Sequence, residues 1–453
     1  MKKYPNIIPL VLNAINIEQE DLIQTIFDTF TEFFENPSLM RNHLQILVDA
    51  ACNISENTDL NLNVRSATLL FLERVGEVYT KKLVKKHGDL ITKIINTGFK
   101  VCCEDEDGYN DDEENPHELA LSLLFIFAAE PPSELVYDMF KSNIVLACQN
   151  QEDPLIRKAG LKILGFICDS DALLDPIKDD IDEFTQLMLT GLTDSNQKVR
   201  EAACETIGDF SENALDTFID QREKIMPVLL KVLEEYLTIA KTSEDEARAA
   251  SRAMTALSEF IANMEDYDVQ PYLSSSLEIC MAYINDKDQL YLVKYEVLRA
   301  LGSIIVAADE TILPNRDNLL QAFFEILKST EGGHDQALKG RALQNAGFLA
   351  QSCGTGNFPV DMLEEFTKFG LDCLQQNDSK YELKETAMNY FGEISKILRS
   401  KMEPLIPAII DVAIASMESQ EHGFIVDDYQ PGQFDLDSEE SDEMVNVTGG
   451  LNS

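Results

Sequence analysis

The amino-acid sequence predicts an all-α fold, a solenoid made of stacked helical hairpins. An amphipathic helical pattern recurs along the chain at a nearly fixed interval, and the apolar–polar alternation of β-strands is scarce. Of the 453 residues, 45% are hydrophobic, and Trp is absent. That hydrophobic fraction is sufficient for a core, which a repeat array shares between neighbouring hairpins.

The clearest single helix is predicted from Asn196 to Asn213. Its apolar residues fall at helical spacing on one side, and acidic residues line the opposite side. The apolar stripe comprises Val199, Ala202, Ala203, Ile207 and Phe210, and the acidic side comprises Glu201, Glu205, Asp209 and Glu212. Because one amphipathic helix cannot bury its apolar face alone, copies of the pattern are expected elsewhere in the chain.

The pattern around Arg200 recurs five times. In each copy an apolar residue precedes the reference position, small or apolar residues follow at +3 and +7, and a small residue generally stands at +8. The reference residues are Arg157, Arg200, Ala250 in a degenerate copy, Lys294, Lys339 and Lys384, in steps of 43, 50, 44, 45 and 45. These steps match HEAT or armadillo repeats of about 40 to 47 residues. A glycine inside a helix costs about 1 kcal/mol relative to alanine, so we predict that position +8 contacts a neighbouring helix.

Each reference helix, called B, is paired with the preceding helix, called A. The predicted pairs are 4–15 with 20–35, 39–56 with 63–80, 88–103 with 116–130, 133–149 with 153–170, 176–192 with 196–213, 222–238 with 244–263, 270–285 with 289–308, 314–328 with 335–353 and 359–375 with 379–398. An unpaired A helix, 402–417, completes a predicted HEAT solenoid over residues 1–417. Neither end carries a polar capping repeat. This predicts a fragment, an incomplete gene model or a truncated relative of a longer array.

The formal net charge is −43. Such a surface repels nucleic acid and anionic membranes and favours basic protein segments as partners. Simple solubility is the alternative explanation for the charge. The longest apolar run, Leu119 to Ala129, is too short to cross a bilayer. We therefore predict neither direct nucleic-acid binding nor membrane insertion.

Two acidic segments interrupt the repeats. One is the loop 104–115, and the other is the tail 418–453, which has no Lys or Arg. Both are predicted to be disordered when free, because they cannot bury enough apolar surface. Their placement within and after a solenoid favours capture of a basic ligand, and ordinary solvation is the alternative. The acids of the loop are Glu104, Asp105, Glu106, Asp107, Asp111, Asp112, Glu113 and Glu114.

The sequence offers little for catalysis. Its five histidines form no metal-binding spacing, and its glycine-rich pieces follow helices instead of strands. The nine cysteines contain no C-x-x-C pair and are interpreted as small buried hydrophobes in a reducing compartment. We predict no enzymatic activity, no cofactor and no metal site.

The B-helix pattern of Asp153 to Gly165 and Asn196 to Gly208 is similar to HEAT repeats of the importin beta superfamily, the karyopherins beta. An acidic loop, then the helix RKAGLKILGFI, then the helix VREAACETIGDF, resembles the central repeats of the importin-four and importin-five branch. The later segment SEESDEMVNV resembles an acidic interruption found in that branch. The resemblance covers nearly the whole chain.

This resemblance implies a nuclear transport receptor that shuttles between cytoplasm and nucleus through the nuclear pore. The implied partners are basic cargo proteins such as ribosomal proteins and histones, FG nucleoporins, and Ran-GTP, which releases the cargo. The acidic loop 104–115 is implied to contact Ran or cargo, and the receptor is expected to be monomeric. The family's N-terminal Ran-binding repeats and its C-terminal repeats have no counterpart here, so complete GTP-regulated transport by this chain alone is not expected.

The candidate cargo site follows from the helical period. Positions +1, +5 and +9 of each B helix lie opposite the apolar stripe, on the predicted concave side, and we call this surface the B-helix face. Its carboxylates and amides could hold an extended basic peptide. The candidates are Glu201, Glu205, Asp209, Glu259, Glu385, Asn389 and Glu393.

Two alternatives to this site remain open. The acidic positions could be a solvated helix face, and the whole chain could be a static HEAT scaffold, such as a phosphatase regulatory subunit. The fourth pair departs from the acidic pattern, because Lys158 and Lys162 occupy its corresponding positions. That basic row could instead pair with an acidic loop.

Overall fold

A computed structural model describes residues 20–35, 43–86, 88–105, 115–129, 133–213, 215–241, 243–329, 335–354, 356–375 and 381–418. Within these ranges the secondary structure is helical, with no β-strand, as the sequence predicts. The helices are α1 (Glu20–Glu32), α2 (Leu44–Ser55), α3 (Leu62–Lys86), α4 (Gly88–Cys102), α5 (Pro116–Ala129), α6 (Ser133–Cys148), α7 (Pro154–Ile167), α8 (Leu174–Asp179), α9 (Ile181–Leu192), α10 (Gln197–Asn213), α11 (Leu215–Phe218), α12 (Arg222–Ile239), α13 (Glu244–Ala262), α14 (Asp266–Asn285), α15 (Tyr291–Ala308), α16 (Arg316–Lys328), α17 (Asp335–Cys353), α18 (Val360–Gln375), α19 (Tyr381–Leu398) and α20 (Ile406–Glu418).

The helices form two layers. The B helices α1, α3, α5, α7, α10, α13, α15, α17 and α19 pack side by side in chain order. The A helices α2, α4, α6, α9, α12, α14, α16 and α18 pack against them and form the other layer. Each hairpin therefore contacts mainly its neighbours, which is the organisation of a repeat solenoid.

Local sequence fixes where several helices begin. The side chain of Asp153 accepts a hydrogen bond of 2.9 Å from the N–H of Leu155, and Pro154 occupies the first turn of α7. Ser243 caps α13 in the same way through the N–H of Glu246, at 3.2 Å. These caps satisfy N–H groups that have no partner within their helix.

The core runs between the layers as a continuous set of apolar side chains. Where the fifth hairpin meets the sixth, Phe210 contacts Phe184 and Phe218, and Phe218 contacts Phe260, with ring centroids 5.3–6.4 Å apart. All four rings are fully buried. Tilted and edge-on aromatic pairs of this kind add to the hydrophobic stabilisation, so these rings tie adjacent repeats together.

The prediction for position +8 is confirmed at two successive repeats. A Cβ atom at Gly165 would overlap Oδ2 of Asp209 on the next B helix, and one at Gly208 would overlap Oε2 of Glu259. At these two positions a side chain at +8 would have to displace the +9 carboxylate of the following repeat, and glycine leaves that space open. This close approach sets the packing of α7, α10 and α13.

The predicted helix boundaries need one correction. The sequence predicts a single helix over 176–192, whereas the structure contains α8 and α9, separated at Asp180. The Asp180 carboxylate accepts a hydrogen bond of 2.7 Å from the Tyr137 hydroxyl and pairs with Lys141 at 2.7 Å. These tertiary contacts hold Asp180 at φ −103° and ψ 13°, outside helical geometry.

All nine cysteines lie in the described ranges, and none forms a disulfide. Eight are buried, and burial raises the pKa of thiols such as Cys148 to about 12. This confirms their interpretation as small buried hydrophobes. The predicted helix 4–15 and the acidic tail after residue 418 lie outside the described residues. Across the part of the chain that the structure covers, no helix is long and apolar enough to span a bilayer.

Candidate functional site

The structure brings four of the predicted site residues together on the B-helix face. Glu201, Glu205 and Asp209 are spaced four apart on α10, so they share one side of that helix. Glu259 on α13 joins them, because its carboxylate lies over Gly208 of α10. All four are partly exposed.

Asp209 is the most perturbed acid of this group. Burial, and after it the nearby carboxylates of Asp169, Glu205 and Glu259, together raise its pKa to about 7. Packing against Gly165 removes solvent from one carboxylate oxygen, and like charges disfavour ionisation. Near neutral pH this side chain therefore exchanges a proton readily, and an approaching lysine would favour its charged form.

Replacement of this acid should change the pH dependence of stability. The folded-state pKa of about 7 lies above the ordinary value of 3.8, so folding becomes less favourable as pH rises between these values. We expect Asp209→Asn to stabilise the chain by about 1–4 kcal/mol at about pH 8, and by roughly half as much at about pH 5.5, because that pH lies about midway between the unfolded and folded pKa values. Urea unfolding at both pH values measures the effect, with Glu234→Gln on the exposed side of α12 as control. An equal gain in the free energy of unfolding at both pH values would contradict the raised pKa of Asp209.

Two of the candidate acids already have basic partners from the following repeat. Arg252 on α13 pairs with Glu205 at 3.2 Å, and Arg299 on α15 pairs with Glu259 at 3.0 Å. For Glu259 burial still outweighs Arg299, so its pKa is raised. Sequence reasoning missed both arginines. Arg299 stands at position +5 of its own repeat, so applying the same pattern to the seventh pair would have found it.

A cleft of about 440 Å³ extends from these acids towards the fourth pair. Its walls carry both charges: Glu201, Glu205 and Asp245 face a larger set of basic side chains. The basic residues that line it are Lys158, Lys162, Lys198, Arg248 and Arg252. Glu201 itself accepts a hydrogen bond of 2.8 Å from Gln197. The B-helix face is thus a surface of mixed charge at pairs four to six.

The remaining candidates lie on α19, separated from this cluster by α15 and α17. Glu385 and Asn389 are exposed, and Glu393 pairs with Lys396 at 2.6 Å. The intervening B helices place Arg299 and Gln344 at their +5 positions. The structure therefore groups the predicted site residues into two clusters.

Only the first two acids of the loop 104–115 lie within the described residues. Glu104 accepts two hydrogen bonds from Nη2 of the buried Arg65, at 2.5 and 2.6 Å. Asp105 pairs with Lys198 of α10 at 3.0 Å. The start of this loop therefore links the second, third and fifth hairpins. The other predicted loop acids, Glu106, Asp107, Asp111, Asp112, Glu113 and Glu114, lie outside the described residues.

No group of three or more His, Cys, Asp or Glu side chains with metal-binding geometry occurs among the residues that the structure describes. The arrangement on the B-helix face can instead bind through hydrogen bonds and ion pairs, because it combines carboxylates, an amide and displaceable arginines.

Comparison with known proteins identifies relatives for this arrangement of hairpins. The chain is 18% identical over 465 aligned residues to the probable importin subunit beta-4 of Schizosaccharomyces pombe, covering 99% of this chain. It is 25% identical over 403 residues to Importin-4 of Mus musculus, covering 84% of this chain. The chain is thus similar to importins over most of its length. The resemblance to the importin beta superfamily, in its importin-four and importin-five branch, is thereby confirmed.

Solved structures of an importin relative confirm the HEAT solenoid. Kap121p bound to Nup53p superposes on 94% of this chain with a TM-score of 0.79 at 18% identity. Kap121p bound to RanGTP and Kap121p bound to Pho4p each superpose on 90% of it, with TM-scores of 0.72 and 0.76. A family model described as interferon-related developmental regulator also matches, over residues 170–391.

The relatives are considerably longer than this chain. It spans 41% of the Schizosaccharomyces pombe importin, 35% of the mouse importin, and 39–41% of Kap121p in these structures. The matched importins are transport receptors and not enzymes, in agreement with the prediction from sequence.

Proposed function

We propose that this chain is a nuclear transport receptor, or the central part of one, that binds basic nuclear localisation signals on its B-helix face. The observation that carries the proposal is the cluster of Glu201, Glu205, Asp209 and Glu259 on two stacked B helices of an importin-like solenoid. The partner proteins of Kap121p, namely Pho4p, RanGTP and Nup53p, support extending the proposal to cargo, Ran-GTP and nucleoporins.

When the cargo binds, ion pairs within the chain are exchanged for ion pairs with the cargo. A lysine of the cargo replaces Arg252 at Glu205 or Arg299 at Glu259, and the freed arginines turn towards solvent or towards the peptide backbone. The net charge of −43 attracts the basic segment over a longer range before contact. Because Glu205 and Glu259 already have basic partners, binding at these two acids replaces one ion pair with another.

Ionic strength provides the first test. We expect a labelled lysine-rich peptide to bind the 453-residue chain at low salt and to lose at least about tenfold in affinity when salt rises to about 0.5 M, because exposed ion pairs are screened. Fluorescence anisotropy measures the affinity, with a peptide of the same length containing glutamine in place of lysine as control. Binding that ignores salt, or no binding at low salt, would count against the proposal.

Release by Ran-GTP and passage through the pore are tested separately. We expect Ran-GTP to reduce binding of the lysine-rich peptide, and immobilised FG nucleoporin repeats to retain the chain. Ran-GDP and repeats with serine in place of phenylalanine are the controls. If a longer form of the protein that includes flanking repeats fails both assays, a static HEAT scaffold becomes the better description.

A further inference from the structure

Two arginines lie between the acidic clusters of the B-helix face, one on α15 and one on α17. Arg299 occupies position +5 of α15, and the Arg341 guanidinium of α17 lies over the ring of Tyr295, 5.1 Å from its centroid. Tyr295 and Arg299 are four residues apart and therefore neighbours on the surface of α15. All three side chains are partly exposed. The middle of this face thus presents guanidinium groups where both flanking clusters present carboxylates.

Uncharged side chains hold Arg341 in place. Its Nε and Nη2 donate to the Tyr295 hydroxyl at 3.1 and 2.9 Å, and its Nη1 donates to Oε1 of Gln344 at 3.0 Å. Within the described ranges its hydrogen-bonding partners are therefore a hydroxyl and an amide, and not a carboxylate. A guanidinium has five N–H donors, so these contacts leave one on Nη1 and one on Nη2 for a ligand.

Arg299 differs from Arg341 because it pairs with two carboxylates. It lies 3.0 Å from Glu259 and 3.5 Å from Glu296. When a cargo lysine replaces Arg299 at Glu259, as proposed above, Arg299 loses one of these two partners. A carboxylate supplied by the cargo beside Arg341 would take the place of the lost partner.

The two acidic clusters lie on the helices that adjoin α15 and α17. The pair of Arg299 with Glu259 links α15 to α13. A Cβ atom at Gly347 of α17 would lie 3.3 Å from Cβ of Glu393 on α19, so α17 packs closely on the helix of the second cluster. An extended segment that crosses α13, α15, α17 and α19 therefore meets acidic, then basic, then acidic groups.

We propose that the cargo segment bound on the B-helix face carries an Asp or Glu between two lysine-rich stretches, and that Arg341 binds this carboxylate. The inference rests on the proposed function and specifies the charge order of its ligand. The two remaining N–H groups of Arg341 donate to the carboxylate, and Arg299 approaches it from the neighbouring turn of α15. Because Tyr295 and Gln344 already hold the guanidinium, binding orders little additional side chain.

Two labelled peptides with the same lysines test the charge order on the 453-residue chain. Each has three lysines at either end of a flexible eight-residue spacer, in which Ser alternates with Glu in one peptide and with Gln in the other. Three steps of about 8–10 Å between packed helices, at about 3.3 Å for each extended residue, set this spacer length as an upper limit. The alternation presents a carboxylate to Arg341 in any register.

The expected order of affinities is the reverse of the order that net charge favours. Attraction to a chain of net charge −43 favours the glutamine peptide, which is the more positive of the two. We expect the glutamate peptide to bind at least about fivefold more tightly at about 0.15 M salt, measured by fluorescence anisotropy.

Substitution of Arg341 is the decisive measurement. We expect Arg341→Gln to weaken the glutamate peptide at least about tenfold and to change the glutamine peptide less than about twofold, so that the order of the two is reversed. Arg341→Lys, which keeps the charge without the planar fork, should reduce the preference to less than about twofold, and it replaces Arg341→Gln if that variant unfolds. The control Arg74→Gln removes an exposed arginine of α3 and should leave the preference unchanged.

The outcomes separate this inference from the proposed function. If neither peptide binds the unmodified chain at low salt, the proposed function fails and the inference fails with it. If both peptides bind and the unmodified chain does not prefer glutamate, or if the folded Arg341 variant keeps that preference, the inference is overturned and the proposed function stands.

Discussion

Removal of the acids on the B-helix face should abolish most of the affinity for a lysine-rich peptide. We expect the variant E201Q/E205Q/E259Q to bind about 100-fold more weakly than the unmodified chain at low salt. Each charge-assisted contact contributes about 1 kcal/mol or more, and about 1.4 kcal/mol corresponds to a tenfold change in affinity. Fluorescence anisotropy measures the dissociation constant.

The control for this variant removes the same net charge from the other layer. Glu234, Glu235 and Glu278 are exposed on α12 and α14, among the A helices. We expect E234Q/E235Q/E278Q to weaken the peptide less than about threefold, because long-range attraction alone is screened. If both variants weaken binding equally, net charge and not the B-helix face determines the affinity.

Loss of the Arg65 side chain should have the largest effect on stability. Arg65 is 2% exposed, binds Glu104 through Nη2, and donates from Nε to the carbonyl of Ser55 at 2.9 Å. Arg65→Ala leaves the Glu104 carboxylate and the Ser55 carbonyl without this partner. Breaking a buried pair from one side costs about 3–5 kcal/mol. We expect a loss of that size in the free energy of unfolding measured in urea, and faster hydrogen exchange in α3 and α4.

Two further variants separate this effect from general loss of charge. Arg65→Lys keeps the charge without the planar guanidinium and should lose about 1–2 kcal/mol. Arg74→Ala removes an arginine from an exposed pair with Glu77 on the same helix and should change stability by less than about 0.5 kcal/mol. If Arg65→Ala and the unmodified chain had the same midpoint of urea unfolding, the structural role of this pair would be refuted.

The start of the acidic loop connects the two predictions. Glu104 stands at the start of the acidic loop, which the family resemblance implies to contact Ran or cargo, yet its carboxylate is held by Arg65. Asp105 is the more exposed of the two described loop acids, and it pairs with Lys198 on α10, the helix of the proposed cargo site. A partner that competes for Asp105 would therefore act directly on the helix that carries Glu201 and Glu205.

Local pattern was sufficient to predict which acids share one side of α10. The spacing of Glu201, Glu205 and Asp209 places them on one side of α10, whatever the surroundings, because the helical period is fixed. The recurrence of small residues at +8 predicted close packing of successive B helices. The contacts of Gly165 and Gly208 with the next repeat explain that recurrence.

The charge state and partners of these acids could not be predicted in the same way. Arg252 lies 47 positions after Glu205, and Arg299 lies 40 positions after Glu259. Whether such residues meet depends on the offset between stacked hairpins, which the helical period does not specify. Asp209 shows the same limit: its raised pKa comes from packing against another repeat.

The sequence by itself determined that this chain is a stack of helical hairpins and which residues each helix buries, because both follow from short-range periodicity. The family resemblance came from the order of the acidic loop and the two helices that follow it. The tertiary structure alone decided which acids of the B-helix face are paired, that Arg65 holds Glu104, and that Asn143 bonds Asn96. These contacts join residues about 40 to 50 positions apart, and only the packing of one repeat on the next brings them within hydrogen-bonding distance.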